Sequence, residues 1–117
     1  MLDGLDLTRG PAYDQGFFPD GVNVEFVVGA EPVDGTDRHV RMRVHERGSG
    51  ETLSCGSGAL AVGAVALREA GLAAGVVAVD LPGGRLTVTH TDDDRWWLAG
   101  PAVLVAAGEV DPATLTV

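Results

Sequence analysis

The 117-residue chain sets 17 acidic residues against 8 basic ones, all arginine, for a net charge of −9, and 45% of it is hydrophobic. That length and composition suit one domain with its own core. The acidic balance, with no basic cluster, argues against nucleic acid and anionic membranes as partners and leaves a small zwitterionic ligand open. The only cysteine is Cys55, which excludes an internal disulfide framework and a cysteine-based zinc site. His39, His45 and His90 fall in no metal-ligand spacing. Met1-Leu2-Asp3 opens no secretion signal, and the apolar run from Ala59 to Leu67 is too short to span a bilayer, so a cytoplasmic protein is expected.

In chain order, Leu2 to Asp20 reads as irregular, broken by Pro11 and Pro19, with Phe17-Phe18 expected to anchor it to the core. "GVNVEFVVG" reads as a strand with Val22, Val24 and Phe26 on one face and Asn23 and Glu25 on the other. "AEPVDGTD" is a turn with Asp34-Gly35 at its tip. "RHVRMRVHE" alternates, placing Val40, Met42 and Val44 inward and Arg41, Arg43 and His45 outward, and the two strands should form a hairpin.

A helix is expected from Cys55 or Gly56, capped by Ser54 or Cys55 and stopping before Gly71 or Gly75. Its first part is apolar on every face, and Ala59, Ala61, Gly63, Ala64 and Ala66 keep it thin, so it should be the most buried element, with strands wrapped around it. Arg68 and Glu69 mark where it emerges. Then "GVVAVDLP", "GGRLTVTH", "DRWWLAG" and "PAVLVAAGEV" read as strands separated by Gly83-Gly84 and Asp92-Asp93-Asp94. The pattern is an α+β domain of mostly antiparallel strands around one central buried helix.

The chemistry concentrates at the helix start. Free backbone amides and the positive end of the helix dipole stabilise an anion there, and a thiol so placed loses its proton more readily. Gly56, Ser57 and Gly58 allow close approach to the backbone, and Ser57 adds a hydroxyl. The plain alternative is a structural cysteine packed as a small hydrophobe. Glu46 and Arg47, alone, read as a solvated pair. Beside the thiol they also suit an amino acid, Arg forking onto its carboxylate and Glu accepting from its ammonium.

Three segments carry a resemblance. "ERGSGETLSCGSGA" (Glu46 to Ala59) is similar to the second signature of the diaminopimelate epimerase family. "FPDGVNVEFV" (Phe18 to Val27) resembles the strand before it, and "AGPAVLVAAGEV" (Ala99 to Val110) the family's C-terminal strand. The resemblance implies a cofactor-independent isomerase of lysine and cell-wall biosynthesis that interconverts LL- and meso-diaminopimelate. In that family two cysteines face each other across the α-carbon, one removing the proton as thiolate and the other delivering a proton as thiol. By motif match Cys55 is one of them. Gly56 and Ser57 would hold the reacting carboxylate, and Asn23, Glu46 and Arg47 would contact the distal amino-acid end.

The family's first Cys-Gly-Asn-Gly signature has no match here, so the resemblance is to the C-terminal half. It implies that residues 1–117 form a C-terminal domain whose strand 99–110 returns to an N-terminal domain or partner chain. With one cysteine the chain alone is expected not to invert its substrate. Two other arrangements stay open: a non-catalytic amino-acid-binding or subunit-pairing module, and a proline-racemase-like enzyme in which two copies form a homodimer.

Overall fold

The computed structural model describes residues 1–116. Six strands and one helix follow in the order β1 (Val24–Gly29), β2 (Arg38–Glu46), β3 (Gly50–Thr52), α1 (Gly56–Glu69), β4 (Gly75–Leu81), β5 (Gly84–His90) and β6 (Trp96–Ala99). They build one sheet in the order β1-β2-β4-β5-β6, with β3 also on β2. Only the β2–β4 pair is parallel, and α1 lies on the crossover between those strands. The domain is the expected α+β fold, mostly antiparallel.

β1 and β2 form the expected hairpin, with Gly35 in the left-handed region (φ 79°) at its turn. β2 spans nine residues and has two neighbours on one edge. Arg38 to Arg41 pair with β4, whereas Val44 to Glu46 pair with β3. Arg43 forks onto Glu51 at 2.7 and 2.9 Å, tying β3 to β2. This short excursion turns the chain back after Glu46 and delivers Cys55 to the start of the helix.

Val40, Met42 and Val44 on β2, Val77 and Val79 on β4 and Val88 on β5 point to α1 and are buried with Ala59, Val62, Ala66 and Leu67. Each such Val, Leu or Met contributes about 1.5–3 kcal/mol by leaving water. The helix ends as its sequence demands: Gly71 adopts φ 72° and the Leu72 amide bonds back to the Leu67 carbonyl.

Three expectations need correction. The helix is not the most buried element: it packs on one face of an open sheet, and Val65 on its outer side is 56% exposed, whereas β4 is buried along most of its length. The expected alternation of β1 holds, and the ladder decides which face is which: Glu25 lies on the helix side, opposite the buried Val44, with Val24 and Phe26 on the other face. Phe17 and Phe18 stack edge-on with each other at 4.7 Å and stay exposed; Leu2 and Leu7 anchor the N-terminal segment instead. There Arg43 donates to the Leu2 and Leu5 carbonyls. Finally, "PAVLVAAGEV" forms no strand: residues 101–110 are exposed throughout and join no ladder.

Candidate functional site

Cys55 is the N-cap of α1, in extended conformation (φ −146°, ψ 105°), and its side chain makes no capping bond. Its carbonyl accepts the first intrahelical bond, from the Ala59 amide at 2.9 Å. Among the described residues the amides of Gly56, Ser57 and Gly58 have no acceptor, as expected of a first helical turn. Cys55 is 8% exposed, at the rim of the core, with its Sγ 3.7 Å from Ser57 Oγ. Leu98 of β6 covers the approach from one side: a Cβ on Gly56 would come within 3.0 Å of its Cδ2. Gly56 and Ser57 are thus where the sequence places them, beside the sulfur.

The end of β2 supplies the polar partners. Glu46 and Arg47 do not pair with each other. The Thr52 hydroxyl donates to Glu46 Oε1 and also lies 3.5 Å from the carbonyl of Ser54, the neighbour of Cys55, so β3 links Glu46 to the helix start. The Arg47 amide donates to Asn23 Oδ1 at 2.8 Å, and its guanidinium donates to the Asp20 carbonyl at 3.1 Å. Its aliphatic stem lies over Gly21, where φ is 86° and a Cβ would come 2.8 Å from Arg47 Cδ. Asn23 and Arg47 are therefore held as a unit, and Glu46 is oriented separately.

Three contributors escape the sequence reading. Gly21 makes room for the arginine stem, and Thr52 orients Glu46. Glu25 is the third: its Oε1 lies 2.8 Å, and the Cys55 sulfur 3.2 Å, from the point a Gly58 Cβ would occupy, so carboxylate and thiol share the space over one glycine. The alternation of β2 carries the signal for Glu25, but only once the hairpin register is known. A groove of about 330 Å³ between β1 and α1, floored by Val27, Val40, Val62 and Val65, has Glu25 among its lining but not Cys55. Arg38 and Glu69 stand at its rim, and it holds none of the other site residues, so the chemistry is placed at the helix start. Among the described residues no group of three or more His, Cys, Asp or Glu side chains is placed to hold a metal, and no helix is long and apolar enough to cross a membrane.

The arrangement is that of an α+β domain presenting a cysteine at a helix N-terminus, with a carboxylate packed over the same first turn and an asparagine–arginine unit after the end of β2. Residues 7–110 match the family model described as diaminopimelate epimerase. The chain is 52% identical to the diaminopimelate epimerase of Streptomyces coelicolor, over 94% of this chain and 39% of that protein. It is 49% identical to that of Mycolicibacterium smegmatis, over 95% of this chain and 36% of the relative. With that of Corynebacterium glutamicum it shares 50% identity over 87% of the chain and 35% of the relative. The chain belongs to the diaminopimelate epimerase family and spans less than two fifths of these relatives' length.

Proposed function

We propose that this chain is the C-terminal catalytic domain of a diaminopimelate epimerase, acting in the cytoplasm on LL- and meso-diaminopimelate without a cofactor. The observation that carries the reading is the seating of Cys55 at the helix N-terminus, beside three amides that have no acceptor among the described residues. A substrate carboxylate on the amides of Gly56 and Ser57 and the Ser57 hydroxyl would sit against the Cys55 sulfur. As the α-proton leaves, negative charge spreads onto that carboxylate, and fixed amide dipoles stabilise it without reorganising. Asn23 and Arg47, held together, suit the distal carboxylate, and Glu46 suits the distal ammonium.

Inversion needs a base on one face of the α-carbon and an acid on the other. Cys55 serves one face, and the sequence holds no second cysteine, so the opposing thiol comes from outside residues 1–117. The exposed apolar segment 99–110 is the part of this domain that would pack on the half carrying that thiol; its exposure supports the assignment.

The test is α-proton exchange and stereochemical inversion of LL-diaminopimelate in deuterated water. The assay compares the chain alone with the chain combined with the cysteine-bearing N-terminal half of a relative. Inversion should appear only in the combination and vanish with Cys55→Ala. Inversion that persists in C55A, or a combination that forms a complex yet never inverts, would overturn the reading.

A further inference from the structure

Glu46 and Thr52 meet because of the β2–β3 register. Thr52 stands opposite the buried Val44, and Glu46, two residues further along β2, stands opposite Gly50. The two side chains are therefore diagonal neighbours on the face that Val44 turns to α1, and Gly50 puts no side chain between them. On the other face the fork of Arg43 onto Glu51 fixes the strand that carries Thr52. Both Glu46 and Thr52 are partly buried, and the Thr52 hydroxyl donates to Glu46 Oε1. Among the described residues no donor reaches Glu46 Oε2.

We infer that Thr52 is a positioning residue that gives the site its selectivity for a ligand with a second ammonium group: it holds Glu46 by one oxygen so that the other meets that ammonium. The inference rests on the assignment of Glu46 to the distal ammonium made above. A glutamate free to rotate spreads over several rotamers, and a ligand that binds it must first order it. The bond to Thr52 orders the side chain before the ligand arrives. A ligand with the second ammonium gains from that ordering, and one without it leaves the carboxylate unpaired.

The test measures binding and not turnover, so it is separate from the inversion assay. Calorimetry gives the dissociation constants of meso-diaminopimelate and of 2-aminopimelate, which lacks the second ammonium. The protein is the chain combined with the N-terminal half of a relative. Wild type should favour diaminopimelate by about tenfold or more. Thr52→Val keeps the branched shape and loses the hydroxyl; it should weaken diaminopimelate about three- to tenfold and change 2-aminopimelate by less than about twofold. Thr52→Ser should restore the preference. In a Glu46→Gln background T52V should have no further effect, because the hydroxyl acts through that carboxylate. Equal weakening of both ligands by T52V would mean a structural role and would overturn the inference. So would a preference that T52V leaves intact, a T52V loss that is undiminished in E46Q, or a wild type with no preference at all. If T52V fails to fold, Thr52→Ala takes its place with the same expected outcomes. A complex that prefers diaminopimelate through Thr52 yet never inverts it would sink the proposed function and leave this inference standing. A complex that inverts, with a preference that T52V does not change, would sink this inference alone.

Discussion

Asp37 holds Val76 at two points: its amide donates to the Val76 carbonyl and its Oδ2 accepts from the Val76 amide, both at 2.8 Å. The next residues in each strand, Arg38 and Val77, open the parallel β2–β4 ladder. Asp37 therefore sets the register of the one pairing that is not antiparallel. Gly75, just before, leaves room for it, since a Cβ there would come 2.8 Å from the same carboxylate oxygen. Asp37→Ala should cost about 0.5–1.5 kcal/mol, because it removes a charge-assisted bond at an exposed position where water takes over the Val76 amide. Urea denaturation should show the midpoint falling with the slope unchanged.

Gly63 lies where α1 comes nearest to β5. A Cβ at that position would stand 2.6 Å from Val88 Cγ1 and 2.8 Å from its Cβ, and Val88 is fully buried. Alanine favours a helix interior over glycine by about 1 kcal/mol. Here the contact is with a stiff branched side chain that cannot swing away, and overpacking of this kind costs about 1–3 kcal/mol. Gly63→Ala should therefore be net destabilising in the wild-type background, and the same change should cost less, or stabilise, in a Val88→Ala background, where the clash is gone. Thermal melts of wild type, both single variants and the double variant check the coupling.

On the sheet face opposite α1, Asp80 binds Arg85 through both oxygens, at 2.6 and 2.9 Å, and His39 Nε2 at 2.7 Å. The Arg85 bond first, and the His39 bond after it, outweigh desolvation and hold the Asp80 carboxyl down from 3.8 to about 2. A depressed folded-state value means that the stabilisation is complete above the unfolded value and is lost as pH falls from about 4 towards 2. The carboxylate is open to solvent on one side, so screening reduces the contribution to about 1 kcal/mol. Asp80→Asn should be less stable than wild type by about that amount at pH 7, and the two should converge near pH 2. Stability measured across that range provides the check.

The same residues show why part of this fold was readable in the sequence and part was not. β2 alternates valine and methionine with arginine and histidine, so its two faces were plain. β1 is apolar at nearly every position, so its alternation was plain but not which of its faces meets the helix. The face was decided by the ladder to β2, a relation between segments that a single strand does not encode. In α1, composition stated how much the helix could bury, not how many neighbours it has: the sheet covers one side and leaves Ala61 and Val65 exposed. At the site, Cys55, Gly56 and Ser57 were legible because a helix start is a local feature. Gly21 and Thr52 act by shape and by a single bond across the hairpin, and nothing local marks them.

The run from Ala102 to Val105 has the composition of a buried strand, yet Val103, Leu104 and Val105 are 80, 99 and 90% exposed. A strand exists by virtue of its ladder, and among the described residues none is offered to this segment. Side chains already in water add nothing to the stability of this domain, so Leu104→Asp should change its unfolding free energy by no more than about 0.5 kcal/mol. Val79→Asp, by contrast, would bury a charge in the centre of β4, where Val79 is fully enclosed, and should abolish folding. An exposed apolar run still carries a tendency to associate, so L104D should also lower light scattering at high protein concentration. Denaturation curves and scattering on the same samples separate the two effects. A large loss of stability in L104D would mean that the segment packs against this domain. Unchanged stability with weaker assembly onto a cysteine-bearing N-terminal half would place Leu104 in the contact that brings the second thiol to Cys55.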